Sequence, residues 1–165
     1  MTIPIRIAPA LVAAAIAIAA CGGDSSGPAA SSTLSFVVGD VTIDLATASA
    51  TSSSGTITIQ AQGTVVGEAR TLSIAVQASA VGTFPVGTVG GASVVYTELA
   101  AGTSVAKQWE ARNGSGSGTL VLSLLTATRA VGTFSATLPP VTSSGATAAK
   151  SLSAGVFDVA LAATR

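Results

Sequence analysis

From residue 33 onward apolar and hydroxyl-bearing side chains take turns along the chain, and this period of two constrains the fold more than any other feature. Successive side chains of a strand leave opposite faces, so such a row buries one face and wets the other, whereas a helix repeats every 3.6 residues. Leu34, Phe36 and Val38 alternate with Ser35 and Val37, and Gly39-Asp40 then reads as a tight turn before Val41, Ile43 and Leu45, which predicts a hairpin. Ile57 and Ile59 sit among Thr56, Thr58 and Gln60, and Leu72, Ile74 and Val76 among Thr71, Ser73, Ala75 and Gln77. Further strands are predicted at 93–98, 106–111, 118–126, 132–138 and 155–161, the last with Phe157, Val159 and Leu161 facing in and Asp158 and Ala160 facing out. Breakers separate them: Ser52-Ser53-Ser54-Gly55, the glycines of 87–91, the run 113–118, Pro139-Pro140 and Ser143-Ser144-Gly145. The expected class is all-β, an antiparallel β-sandwich or partly closed β-barrel of about 8–10 strands.

Two alanine-rich stretches test that reading, because Ala is a poor strand former. Neither 46–50 nor 146–154 carries a helical stripe longer than two turns, so the first is read as a strand or its margin and the second as a loop running into the final strand. Ala80-Val81-Gly82-Thr83-Phe84 recurs as Ala130-Val131-Gly132-Thr133-Phe134. Two copies fall short of a repeat array and read as one turn-then-aromatic solution used twice in a sheet.

The start of the chain reads differently. Residues 1–6 carry one positive charge at Arg6, 7–20 are an apolar run, and small residues precede Cys21, the layout of a secretory signal too short to span a bilayer. Ile18-Ala19-Ala20-Cys21 resembles the lipobox of bacterial lipoproteins. That resemblance implies cleavage before Cys21 and acylation of its sulfur and amine, with the small Ala19 and Ala20 giving the peptidase access. Cys21 is the chain's single cysteine, so no internal disulfide can form. Buried acyl methylenes at about 0.8 kcal/mol each make a multiply acylated anchor effectively permanent. Gly22 rather than Asp follows the cysteine, which by the same resemblance favours the outer membrane. The expected organisation is a signal peptide over 1–20, a lipidated cysteine and flexible tether over 21–32, and one β domain over 33–165.

The strand-and-turn segments Gly-Thr-Phe-Pro-Val-Gly at 82–87, Ala-Ser-Val-Val-Tyr-Thr at 92–97, Gly-Ser-Gly-Thr-Leu-Val-Leu at 116–122, Val-Gly-Thr-Phe-Ser-Ala-Thr-Leu at 131–138 and Gly-Val-Phe-Asp-Val at 155–159 resemble an uncharacterised family of bacterial lipoproteins with a β-rich domain of unknown function. The resemblance implies the fold and carries no activity.

Seven basic and seven acidic residues include Arg6, so the chain without its leader has six against seven. The basic residues are scattered singly, without the patch a nucleic acid needs, so no nucleic-acid partner is expected. With no histidine in the sequence, Ser-His-Asp and Cys-His chemistry and the usual zinc sites are excluded. Ser104 and Lys107 have the Ser-x-x-Lys spacing of penicillin-binding enzymes, but that motif needs a helix start and partner motifs. Gly114-Ser115-Gly116-Ser117-Gly118 lacks the lysine and helix of a phosphate loop. The carboxylates Asp40, Asp44, Glu68, Glu98, Glu110 and Asp158 fall on separate strands and turns and read as solvated groups. No catalytic residue, metal or cofactor is expected.

Tyr96 and Trp109, one of each in the chain, are the candidate ligand-contact residues, with burial at the end of the core as the competing reading for Trp109. Phe36, Phe84, Phe134 and Phe157 read as core. The functional expectation is a membrane-anchored, non-catalytic binding or scaffolding domain in the periplasm or at the cell surface, its protein or small-molecule partner unspecified. The alternative is a lipocalin-like carrier of a small apolar ligand.

Overall fold

The structure is a computed structural model and describes residues 32–163. Eleven strands follow one another: β1 (Thr33–Val38), β2 (Val41–Leu45), β3 (Thr47–Ser53), β4 (Thr56–Val65), β5 (Glu68–Gln77), β6 (Gly82–Val86), β7 (Ser93–Leu99), β8 (Lys107–Ala111), β9 (Ser117–Leu125), β10 (Arg129–Leu138) and β11 (Lys150–Ala163). One turn of 3-10 helix, Thr142–Ser144, lies before β11.

The strands form one sheet in the order β6-β9-β10-β11-β3-β4-β5-β7-β8, with the β1–β2 hairpin paired to β11 beside that path. Its named-strand pairings are antiparallel except the short run where Leu161, Ala162 and Ala163 lie alongside Ala50, Thr51 and Ser52. β11 therefore leaves the wall it shares with β1 and β10 and enters the wall of β3, which couples the two halves of the sheet. On the far side Glu110 N–H donates to the Pro139 carbonyl (3.1 Å) and Val141 N–H to that of Gln108 (2.9 Å), lacing the edge strand β8 to the segment that continues β10. The result is a nearly closed, barrel-shaped all-β sheet.

Alternation produces the core directly. Leu34 and Phe36, Ile57 and Ile59, Leu72, Ile74 and Val76, and Phe157 and Val159 are all buried, and the residues between them face outward. Phe36 meets Tyr96 edge-on (centroids 5.6 Å, 87°) and Phe134 at 6.0 Å, so aromatic rings bridge the walls. Phe84 is the exception among the four phenylalanines: it is half-buried because β6 is an edge strand whose one neighbour in the strand order is β9.

Eleven strands exceed the predicted number because β3 and β6 advertise themselves weakly. β3 reads Thr-Ala-Ser-Ala-Thr-Ser-Ser and buries only Ala50 fully. The last strand also starts earlier than predicted, at Lys150. Its pairing to both neighbours slips by one residue around Ala154, whose φ is +48°. This bulge brings Gly155 under the Phe134 ring, where a Cβ would come within 2.6 Å of the ring carbons.

The repeated pentapeptide has a geometric meaning. Gly82, Thr83 and Phe84 of β6 lie opposite Leu122, Val121 and Leu120 of β9, and Gly132, Thr133 and Phe134 of β10 lie opposite the same three residues from the other side. The two copies flank β9 in one register.

Candidate functional site

The two aromatics named from the sequence are cross-strand neighbours, Tyr96 on β7 opposite Trp109 on β8, with ring centroids 5.9 Å apart. Both are buried, Tyr96 completely and Trp109 to 4% exposure. The indole N–H donates to the Ala148 carbonyl at 2.7 Å, so its one polar atom is satisfied inside the protein. Trp109 thus takes the core-capping reading, while one side of its ring borders a shallow cleft of about 240 Å³ shared with Lys107, Thr147 and Lys150.

Around these rings lies an ionic cluster that the sequence did not announce. Tyr96 Oη donates to Glu98 Oε1 at 2.8 Å, Lys150 Nζ reaches the same oxygen at 2.5 Å, and Arg70 stands 3.8 Å away while bonding Glu68 at 3.1 Å. Strand geometry explains the gathering. Arg70 and Glu98 are paired residues of β5 and β7, each two positions beyond the buried pair Leu72 and Tyr96, so they occupy the inner face where the barrel opens. Lys150 comes from the opposite wall at the start of β11. Its ammonium sits 4.4 Å from the Trp109 ring centroid and 5.6 Å from that of Tyr96, a cation–π arrangement.

Burial by itself would raise the Glu98 pKa, but hydrogen bonds from Lys150 and Tyr96, with the Lys150 and Arg70 charges, hold the carboxyl below its ordinary value. Burial and the Glu98 carboxylate push the Tyr96 phenol the other way, well above its usual range. A carboxylate held this firmly in its charged form is a poor proton acceptor at neutral pH. The cluster plugs one mouth of the barrel. On the outer surface Arg129 and Asp158 form a second, exposed pair, whose hydrogen bonds raise the arginine and lower the carboxyl.

A larger concavity of about 400 Å³ lies on the outside of the β3-β4-β5-β7 wall. Register sets its lining: Ser49, Gln60, Ser73 and Val95 form one cross-strand row, and Thr47, Gln62, Thr71 and Thr97 the next. A third hollow, about 420 Å³ and more apolar, crosses β9, β10 and β11 beside Val121, Phe134 and Val156.

No family model, curated protein or solved structure matches this chain. The site therefore stands on its own geometry. Ser104 lies in the loop between β7 and β8 and Lys107 opens β8, so the helix start required by a Ser-x-x-Lys nucleophile is not present at that position. Among the described residues no three His, Cys, Asp or Glu side chains converge as metal ligands, and no helix is long and apolar enough to cross a membrane. Cys21, the expected lipid-attachment residue, lies outside the described residues.

Glu98 departs from its expected role as a solvated carboxylate, with its side chain only 13% exposed. Its partner Lys150 is 52 positions away, beyond the reach of any local pattern. The outward rows were legible only as polar faces. That Gln60 and Gln62 meet Ser49, Thr47, Ser73 and Thr71 depends on strand order and register.

Proposed function

We propose that this protein is a lipoprotein held to the outer membrane through acylated Cys21, and that its β domain binds a partner non-catalytically on its outer surface. The carrying observation is that rings and aliphatic side chains pack the barrel interior while concavities of about 400 and 420 Å³ lie on its outer face. Phe36 links Tyr96 and Phe134 through ring contacts, Tyr96 packs on Trp109, and the Glu98–Lys150 pair crosses the mouth. The lipocalin-like alternative calls for an apolar interior vessel, and this column of rings occupies the place where one would lie.

The path of the chain supports a tethered arrangement. Antiparallel pairing sets Thr33 beside Asp158 and Val38 beside Leu152, so the N-terminal side of the domain lies toward the end of β11 opposite Lys150. Asp158 lies eight positions along β11 from Lys150, roughly 26 Å at about 3.3 Å per residue. The plugged mouth is then at the end of the domain farther from Thr33.

The test is intact-mass analysis of protein extracted from membranes, with fractionation of a Cys21→Ala variant beside it. The expected product begins at Cys21 and carries acyl groups, and the variant appears in the soluble fraction. A mature chain starting elsewhere, or carrying an unmodified thiol, removes the anchor from this reading.

A further inference from the structure

We propose that the concavity on the outer face of β3, β4, β5 and β7 is a subsite for a neutral saccharide. The inference rests on the reading of the domain as a binding module and adds the class of ligand. Its volume of about 400 Å³ is ample for a short oligosaccharide, and ligand sites commonly fall between about 300 and 1,000 Å³.

The chemistry of the lining selects the ligand. Gln60 and Gln62 lie two residues apart on one face of β4, flanked by Ser49 and Thr47 on one side and by Ser73 and Thr71 on the other. No charged side chain lines the hollow. An ionic ligand would leave water without a counter-charge, and an apolar one would cover amides and hydroxyls without satisfying them. Each glutamine offers two N–H donors and a carbonyl acceptor, and each hydroxyl offers both functions. Sugar hydroxyls likewise donate and accept, so a neutral glycan can meet the polar groups of the hollow, and its C–H faces can cover Val95.

These groups are also unspent. Among the described residues, the side chains of Thr47, Ser49, Gln60, Gln62, Thr71 and Ser73 hydrogen-bond no other part of the protein. Elsewhere the same residue types do pair internally: Gln77 donates to Thr56 at 3.0 Å, and Ser144 bonds the Val141 carbonyl at 2.6 Å. An extended peptide is the weaker fit, because peptides add to sheets through edge hydrogen bonds, and here the backbone groups of β4 and β5 are already paired on both sides. The hollow has no aromatic platform, so single-site binding is expected to be weak, with Kd on the order of 1 mM. Many copies on one membrane would raise the avidity.

The experiment is saturation-transfer difference NMR on the full mature chain, held in a detergent without a sugar headgroup. The probes are neutral oligosaccharides of glucose, galactose, mannose and N-acetylglucosamine, with a Gly-Ser peptide alongside. Saturable transfer to at least one neutral oligosaccharide is expected, weakened about tenfold or more in Gln60→Ala/Gln62→Ala at unchanged melting temperature. Silence across the saccharide panel overturns the proposal, as does transfer to the peptide alone. Binding that the double variant leaves intact overturns the site. Because the readout takes place in detergent, it is independent of whether Cys21 carries lipid, and failure of either idea is seen separately.

Discussion

Glu98 collects three partners at one carboxylate, and its neighbourhood predicts how stability responds to pH. Its folded pKa is lowered, so its contribution is fully present above the unfolded value of about 4.3 and is lost as pH falls through the lower folded value. Tyr96 has its folded pKa raised, so its contribution holds below the unfolded value of about 10 and declines as pH climbs past it. Denaturant unfolding from acid to alkali should therefore show stability falling at both extremes. Tyr96→Phe should flatten the alkaline limb and cost about 1–2 kcal/mol at neutral pH, because Glu98 loses a donor. Glu98→Gln should flatten the acid limb and cost more, about 2–4 kcal/mol, since Lys150 and Arg70 keep their charges without the counter-ion between them. An acid limb unchanged in Glu98→Gln would assign the low-pH loss to other carboxylates. The exposed Arg129–Asp158 pair, screened by water, is expected to contribute little to any of these curves.

At the scale of strands, the twin Gly-Thr-Phe segments give a controlled comparison. Both glycines lie opposite Leu122, yet a Cβ at Gly132 would come within 2.1 Å of the Val121 carbonyl and 2.5 Å of the Phe157 ring, whereas at Gly82 the nearest contact is the Phe84 ring at 3.5 Å. The inner strand β10 is packed on both sides and the edge strand β6 is not. Gly132→Ala should destabilise by about 1–3 kcal/mol or more, and Gly82→Ala should stay within about 0.5 kcal/mol. Equal effects in chemical denaturation would mean that the surroundings of the two strands do not differ as described. The same elements show what could be read from the residues. Strands that bury Leu, Ile or Phe at every second position were legible, because a face that leaves water must be apolar along its whole length. β3 was faint because its inward positions hold alanine, and the early start of β11 was hidden because Lys150 and Ser151 carry no apolar alternation. The hollow was illegible for a different reason: threonine and glutamine on an outer face look alike whether they meet water or a ligand, and only register brings Gln60 and Gln62 into one surface with Ser73 and Thr71. Tyr96 and Trp109 stood out by rarity, which marked their neighbourhood without revealing that both rings face inward.

For the molecule as a whole, the decisive joint is the last turn of the sheet's path. β11 is fourteen residues long and spends its first part between β1 and β10, but its end enters the other wall beside β3. Leu161 goes into the core there, and its amide donates to the Thr128 carbonyl at 2.8 Å, tying the joint to the β9–β10 turn as well. Opposite this joint the walls are held by backbone bonds from Glu110 and Val141, so the barrel is fastened along two seams. Deleting residues 161–165 opens the first seam, removes one buried leucine worth about 2 kcal/mol and strips β3 of one of its two neighbours. The melting temperature should drop by roughly 4–8 °C, at about 2–4 °C per kcal/mol for a chain of this size. Removing residues 22–31, by contrast, should leave the melting temperature where it was, because the proposed role of this glycine-, serine- and alanine-rich stretch is that of a tether. If the C-terminal deletion melts like the intact chain, the β8 seam and the aromatic column suffice to hold the walls together, and the parallel joint is a consequence of closure and not a cause of it.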